Sequence, residues 1–192
     1  MLKRIFLAVT TVAALATGTA TAGLLPVNVT VTPDAGNYRW TYAIVLPTDS
    51  QIRSGDFFTI YDFGGLVGGT NSQPTDWNYS TAKVGPIPVG VDPKDDPTIS
   101  NLTWTYGGPT VSTGQTGLGN FWAISQYRDS TDSYFTARTH RTSDGRIDTN
   151  ITDTVVPVPT APPPGVPEPA TLALAALGLP IVGLFRRFRS RK

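Results

Sequence analysis

The chain contains one histidine, His140, and no cysteine, so few side chains could act as a nucleophile, a general base or a metal ligand. A serine hydrolase would need this histidine beside a serine, and the usual motif around that serine, GxSxG, does not occur. Zinc sites need several histidine or cysteine ligands. We therefore expect His140 to be a surface or packing residue, and we expect no catalytic residue, no metal site and no other cofactor.

Two groups of aspartates could supply carboxylate chemistry. Asp92, Asp95 and Asp96 cluster in a proline-rich segment and could bind calcium. The spacing of an EF-hand loop is absent, so a solvated acidic loop is the favoured interpretation. Asp56 and Asp62 flank an aromatic segment, and paired carboxylates are the machinery of a glycosidase. Because aspartates are also common turn residues, a glycan-active hydrolase remains an alternative and not the main prediction.

The aromatic side chains are the remaining candidates for function. The four tryptophans and seven tyrosines could stack on sugar rings at a carbohydrate-binding or adhesive surface. A domain without disulfides must fill its core with most of its large side chains. Each of Trp40, Trp77, Trp104 and Trp122 is therefore expected in the core, and whether one remains at the surface is left open.

Short segments of alternating apolar and polar residues connect these candidates. Their β-branched and aromatic composition, with Gly, Pro, Asn and Asp between them, predicts an antiparallel β-sandwich of about 7–9 strands, jelly-roll-like or Ig-like. No apolar pattern of helical spacing appears outside the two termini. The predicted strands cover residues 27–32, 38–46, 57–63, 77–84, 99–106, 121–127 and 134–141, with 147–156 as a weaker edge strand.

Four connecting segments are predicted to lack regular structure. Residues 64–69 (GGLVGG) lack the lysine of a phosphate-binding loop and are interpreted as a flexible connector. Residues 85–97 contain four prolines and should lie outside the sheets. A small-residue loop at 111–119 and a polar turn at 128–133 complete the set. A turn at residues 33–37, by contrast, should join the first two strands into a hairpin.

The N-terminus has the three parts of a secretion signal. Lys3 and Arg4 supply the positive charge, residues 5–16 form the apolar region, and Ala20 and Ala22 fit a signal peptidase cleavage site. Residues 1–22 are therefore predicted to be a helical signal peptide, removed after Ala22 during passage through the general export machinery.

The last 26 residues, 167–192, combine three features in order. The tripeptide Pro167-Glu168-Pro169 precedes an uncharged apolar run at 170–185, which as a helix would be about 24 Å long. A bilayer core is about 30 Å thick, so this run is a marginal permanent anchor. Basic residues then flank the predicted transmembrane helix and should remain on the cytoplasmic side, chiefly Arg186, Arg187 and Arg189.

This arrangement resembles the PEP-CTERM sorting signal of exported bacterial proteins. The resemblance implies that an exosortase recognises Pro167, Glu168 and Pro169. It also implies that the helix anchors the precursor transiently in the inner membrane of a Gram-negative-type bacterium. The mature form would then lie at the cell surface or outside the cell. Such signals accompany exopolysaccharide-producing systems, so the resemblance also implies an association with exopolysaccharide or biofilm.

These boundaries divide the chain into a signal peptide (1–22), a β-sandwich domain (23–156), a proline-rich linker (157–166) and the sorting signal (167–192). Between residues 23 and 166 there are eight basic and thirteen acidic residues, a net charge of −5. An acidic domain lacks the clustered lysines and arginines that bind nucleic acid. We therefore expect a non-enzymatic exported surface or matrix protein.

Overall fold

The computed structural model describes residues 23–161, in which ten β-strands and no α-helix are found. The all-β prediction is confirmed, although the number of strands exceeds the expected 7–9. The strands are β1 (Leu25–Asp34), β2 (Asn37–Leu46), β3 (Ser50–Gln51), β4 (Phe57–Phe63), β5 (Leu66–Ser72), β6 (Trp77–Ala82), β7 (Ser100–Tyr106), β8 (Thr116–Ser125), β9 (Asp129–Arg141) and β10 (Ile147–Val158).

The strands form two antiparallel sheets packed as a sandwich. The four-stranded sheet has the order β1-β2-β8-β5, and the larger sheet has the order β10-β9-β4-β7-β6, with the short β3 paired to β9. Side chains of both sheets meet in one hydrophobic cluster. The antiparallel sandwich is therefore confirmed, while the choice between a jelly-roll-like and an Ig-like arrangement stays a prediction.

The alternation along β2 shows how the sequence places one sheet face in the core. Trp40, Tyr42, Ile44 and Leu46 are at most 1% exposed, and the residues between them are half-buried. Successive side chains of a strand point to opposite faces, so this pattern buries one face and leaves the other partly in water.

Phe58 of β4 lies at the centre of the core. Its ring centroid is 5.4 Å from that of Trp77, 5.2 Å from that of Trp104, 4.9 Å from that of Phe121 and 5.3 Å from that of Phe135. Phe121 belongs to the four-stranded sheet and the other rings to the six-stranded sheet. The edge-to-face pair of Phe58 and Phe121 thus joins the two layers without any disulfide, and the other three rings pack around Phe58 within its own sheet.

The first two strands form the predicted hairpin. The tight turn contains Ala35 and Gly36, whose φ angles are +47° and +85°. Asp34 and Asn37 pair on either side of it. Two positive φ angles are the signature of the type I′ turn, whose twist matches that of the flanking strands.

Three predicted connections contain strand residues instead. Four of the six residues of the GGLVGG segment belong to β5, which pairs with β8 at the edge of the four-stranded sheet. The predicted loop at 111–119 includes the start of β8, and the predicted turn at 128–133 includes the start of β9, which pairs with β10. Backbone hydrogen bonds to a distant partner form these strands, so their glycine-rich and polar composition did not reveal them.

The proline-rich segment 85–97 lies outside the sheets, as predicted, and packs on the outer face of the six-stranded sheet. The hydroxyl of Tyr61 donates to the carbonyl of Pro86 at 2.8 Å, and that of Thr149 donates to the carbonyl of Val89 at 2.9 Å. Beneath the segment, Tyr61 and its neighbour Thr59 are fully buried although they face away from the core. The outer face of β4 is therefore covered at these two residues.

The last strand continues two residues beyond the predicted end of the domain at 156. Gly64 donates its backbone N–H to the carbonyl of Pro157 at 3.1 Å. Proline can accept but not donate a backbone hydrogen bond, and it is tolerated here because β10 is an edge strand. Within residues 23–161 no helix is long and apolar enough to cross a membrane. The predicted signal peptide and sorting signal lie outside the described residues.

Candidate functional site

His140 and Asp56 lie in contact. Nδ1 of His140 is 3.0 Å from Oδ2 of Asp56, and the same oxygen accepts the backbone N–H of Arg53 at 2.8 Å. The carboxylate is fully buried, whereas the His140 side chain is 17% exposed. The histidine therefore has a partner that the sequence did not reveal.

A further cation completes the surroundings of this buried carboxylate. Nε of Arg138 is 3.5 Å from Oδ1 of Asp56, and the guanidinium also donates to the carbonyl of Gly55 and lies over the ring of Phe57. These contacts hold the loop before β4 against β9. Asp56 has no exposed surface on which a substrate could bind, so these contacts have a structural role.

The other aspartates form a separate cluster at the end of β4. Oδ1 of Asp62 accepts the backbone N–H of Asp96 at 2.9 Å, and Asp95 accepts the amide of Asn101 at 2.8 Å. Partial burial raises the pKa of Asp62, and the charges of Asp95 and Asp96 raise it further. Hydrogen bonds from the backbone and hydroxyl of Thr98 lower the pKa of Asp96.

Hydrogen bonds of this cluster hold the proline-rich segment against the sheet. Asp92 and Asp96 are exposed, in keeping with a solvated loop, whereas Asp95 is half-buried and hydrogen-bonded to the sheet. Among residues 23–161 no three acidic or histidine side chains are arranged to hold a metal ion. Asp56 precedes β4 and Asp62 lies near the end of that strand, but they engage different partners and do not form a carboxylate pair.

The four tryptophans divide into two environments. Trp40, Trp77 and Trp104 are at most 6% exposed and belong to the core, as expected. Trp122 is half-buried and points away from the core, because its neighbours Phe121 and Ala123 on β8 face inwards. One aromatic ring is thereby presented on the outer face of the four-stranded sheet.

Polar residues of the first hairpin hold this ring. The guanidinium carbon of Arg39 lies 4.3 Å from the centroid of the Trp122 ring, a cation–π contact. Asp34 accepts hydrogen bonds from Nε and a terminal nitrogen of Arg39 at 3.0 and 2.5 Å. The ion pair fixes the guanidinium over the indole and neutralises its charge.

A groove runs beside the ring and is here named the Trp122 groove. Its volume is about 330 Å³, close to the lower limit of ordinary small-ligand sites. Trp122 and Val67 supply apolar surface, while polar groups come from the hairpin and from β5, namely Asp34, Asn37, Thr70 and Asn71. Flat aromatic surface flanked by amide, hydroxyl and carboxylate groups suits a sugar ring, which has both C–H faces and hydroxyl edges.

The sequence favoured a core position for Trp122, as for the other tryptophans, so it revealed neither the outward orientation of this ring nor its surroundings. The predicted turn at 33–37 could have brought Asp34 and Arg39 together across the hairpin, since residues on facing strands of a tight hairpin are neighbours. No sequence pattern pointed to Asn71, because the glycine-rich segment at the start of β5 was interpreted as a connector. Among the described residues, the groove contains one aromatic side chain, that of Trp122, and not a row of them.

The comparisons with known proteins concern the other end of the chain. No curated protein matches the sequence significantly. A family profile described as the PEP-CTERM protein-sorting motif matches residues 165–192, which include Pro167, Glu168 and Pro169. The chain therefore carries a PEP-CTERM protein-sorting motif at its C-terminus, and this motif implies an exported protein that an exosortase processes and sorts to the cell surface.

Proposed function

We propose that the chain is a non-enzymatic surface or extracellular-matrix protein whose β-sandwich binds extracellular polysaccharide. In this proposal signal peptidase removes residues 1–22, and residues 170–185 with the basic tail anchor the precursor in the inner membrane of a Gram-negative-type bacterium. The exosortase then acts near Pro167-Glu168-Pro169. The mature form is at the cell surface or in the matrix.

The observation that carries the polysaccharide part is the placement of Trp122. The Trp122 ring lies on the outer face of its sheet, is half-buried, and packs against the guanidinium of Arg39 beside a groove. A ring that is already oriented loses little conformational entropy when a ligand stacks on it. The placement of Trp122 supports a binding role for its ring more strongly than a packing role.

The non-enzymatic part is supported by the positions of the carboxylates. A glycosidase needs two carboxyl groups about 5–10 Å apart in one cleft. The Trp122 groove contains one, Asp34, which is engaged by Arg39. Asp56 is fully buried and Asp62 is bonded to the backbone of Asp96. The glycan-active hydrolase is therefore the weaker candidate.

Binding is tested with the full chain on a glycan array. Wild type should retain one or more glycans, and Trp122→Ala should lose them while keeping the wild-type melting temperature. Tyr134→Ala is the matched control, because it removes a half-buried aromatic from the outer face of the other sheet. Unchanged binding by a folded Trp122→Ala variant would contradict the assignment of the groove.

Sorting is tested separately, in a Gram-negative-type bacterium that has an exosortase. Glu168→Ala should prevent recognition of the tripeptide, so the protein should accumulate in the inner membrane instead of reaching the surface. Membrane fractionation and immunoblotting measure both pools. Normal processing of Glu168→Ala would show that the tripeptide does not have the proposed role, whatever the glycan array reports.

A further inference from the structure

A second groove lies beside the same hairpin and is here named the Arg128 groove. It has a volume of about 300 Å³ and is lined by Val31, Pro33, Gly36, Asn37, Tyr38 and Arg128. Asn37 also lines the Trp122 groove, so the two grooves meet at this residue. Together they pass from the outer face of the four-stranded sheet around the tip of the hairpin.

The two grooves differ in charge. Arg39 is bonded to Asp34 and brings no free charge to the Trp122 groove. Arg128 is exposed, lines the second groove, and takes part in none of the ion pairs found between residues 23 and 161. No other basic residue between 23 and 161 lines either groove.

A free guanidinium beside an aromatic ring is suited to an anionic sugar. The planar fork of arginine can donate two parallel hydrogen bonds to a carboxylate, and the half-buried ring of Tyr38 offers a surface next to it. A neutral sugar would leave this guanidinium without a counter-charge. A uronic acid residue would supply one.

We propose that the two grooves form a single track for an acidic polysaccharide, with one sugar on Trp122 and a carboxylate-bearing sugar on Arg128. Asn37 lies between the two positions and can hydrogen-bond to either sugar. Each groove has room for about one sugar unit, so the track selects a chain and not a monosaccharide. This inference rests on the proposed function, since it names the class of polysaccharide that the Trp122 groove would bind.

The net negative charge of the domain limits where an acidic polymer can be attracted. The region between residues 23 and 166 has a net charge of −5, so a polyanion is not attracted to the domain as a whole. Attraction must come from the local contact with Arg128. Because an exposed ion pair is screened by salt, the preference for the acidic polymer should decrease as ionic strength rises.

The test compares polygalacturonate with the same polymer after chemical reduction of its carboxyl groups, using calorimetry on the full chain. Wild type should bind the acidic form about fivefold more tightly, as one exposed charge-assisted contact would give. Arg128→Gln should bind both forms equally. Trp122→Ala should lose both. Arg146→Gln is the matched control, because the Arg146 side chain is 78% exposed and lines neither groove.

The outcomes separate this inference from the proposed function. Equal affinity of wild type for the two polymers would overturn the anionic track while leaving sugar binding at Trp122 in place. An equal loss for both polymers in Arg128→Gln would also overturn it, because the contact would not be specific for charge. Failure of wild type to bind either polymer would reject the acidic polysaccharide, and the glycan array would then decide whether the groove binds any sugar.

Discussion

Oδ2 of Asp56 lies 3.0 Å from Nδ1 of His140, although the two residues are 84 positions apart in the sequence. The contact joins the loop before β4 to the far end of β9, and the backbone N–H of Arg53 bonds the same oxygen. The contact gives His140, which lies inside β9, a buried carboxylate as its partner. The pair belongs to the architecture of the sandwich and not to a binding surface.

We expect Asp56→Ala to be strongly destabilising. Removing this fully buried carboxylate leaves the N–H of Arg53 and the side chains of Arg138 and His140 without their acceptor, at a cost of about 3 kcal/mol in the free energy of unfolding. Urea denaturation at pH 7 measures the change. The control is Asp92→Ala, which removes an exposed carboxylate and should change stability by less than about 0.5 kcal/mol. Equal stability of the two variants would contradict the structural role of the Asp56 contacts.

We expect Asp62→Asn to stabilise the protein at neutral pH. The folded state raises the pKa of Asp62 above its ordinary value of 3.8, chiefly through burial. The stability that Asp62 contributes is therefore complete below the unfolded pKa and is lost as pH rises through the folded pKa. Asparagine keeps the acceptor for the Asp96 amide and tolerates the φ of +58° at this position, but it carries no charge.

Thermal denaturation between pH 2.5 and 8 measures this effect. The melting temperatures of wild type and Asp62→Asn should converge below about pH 3.8 and separate as the pH rises. Asp62→Ala is the control, since it removes the charge and the hydrogen-bond acceptor together and should melt lower than Asp62→Asn throughout. A lower melting temperature for Asp62→Asn than for wild type at pH 7 would refute the argument.

We expect Phe58→Ala to cost about 3 to 5 kcal/mol in the free energy of unfolding, because it leaves a cavity among four aromatic rings. Guanidinium denaturation followed by tryptophan fluorescence measures the loss. Val89→Ala is the surface control, since Val89 is 89% exposed, and its effect should stay within about 0.5 kcal/mol. A loss under about 1 kcal/mol for Phe58→Ala would show that the two sheets are not packed on this side chain.

We expect Tyr61→Phe to loosen the proline-rich segment. The substitution removes the hydrogen bond from the Tyr61 hydroxyl to the carbonyl of Pro86, with a cost of about 1 kcal/mol. Amide hydrogen exchange should increase within residues 85–97 and stay unchanged in the core strands. Tyr134→Phe is the control, because the structure gives the Tyr134 hydroxyl no hydrogen bond to another residue between 23 and 161. Equal exchange in both variants would contradict the anchoring role.

We expect Ala35→Asn to stabilise the hairpin on which both grooves are built. Ala35 has a φ of +47°, which costs an L-residue with a Cβ roughly 1 kcal/mol or more, whereas asparagine adopts this region more readily. The melting temperature should rise. Ala35→Val should lower it, because β-branched residues are excluded from positive φ. A rise with valine, or a fall with asparagine, would contradict the type I′ turn.

Most of the sheet architecture follows from local pattern. The alternation at 38–46, the aromatic run at 57–63 and the turn at 33–37 were predictable because each depends on neighbours within a few residues. The GGLVGG segment was not, since β5 is defined by its pairing with β8, and Leu66 of this segment pairs with Ser125, which is 59 positions away. A pattern of side chains cannot reveal a strand that long-range backbone hydrogen bonds form.

The sequence by itself determined the all-β class and the sorting motif at residues 165–192, and it predicted a core position for every tryptophan, which three of the four have. The residues of the motif are contiguous in the sequence, so the motif can be identified without knowledge of the fold. Only the tertiary structure decided that Trp122 faces outwards. Phe121 and Trp122 are adjacent aromatics, and strand alternation requires one to be buried without saying which. The packing of Phe121 against Phe58 made that choice, and it placed Trp122 beside Arg39.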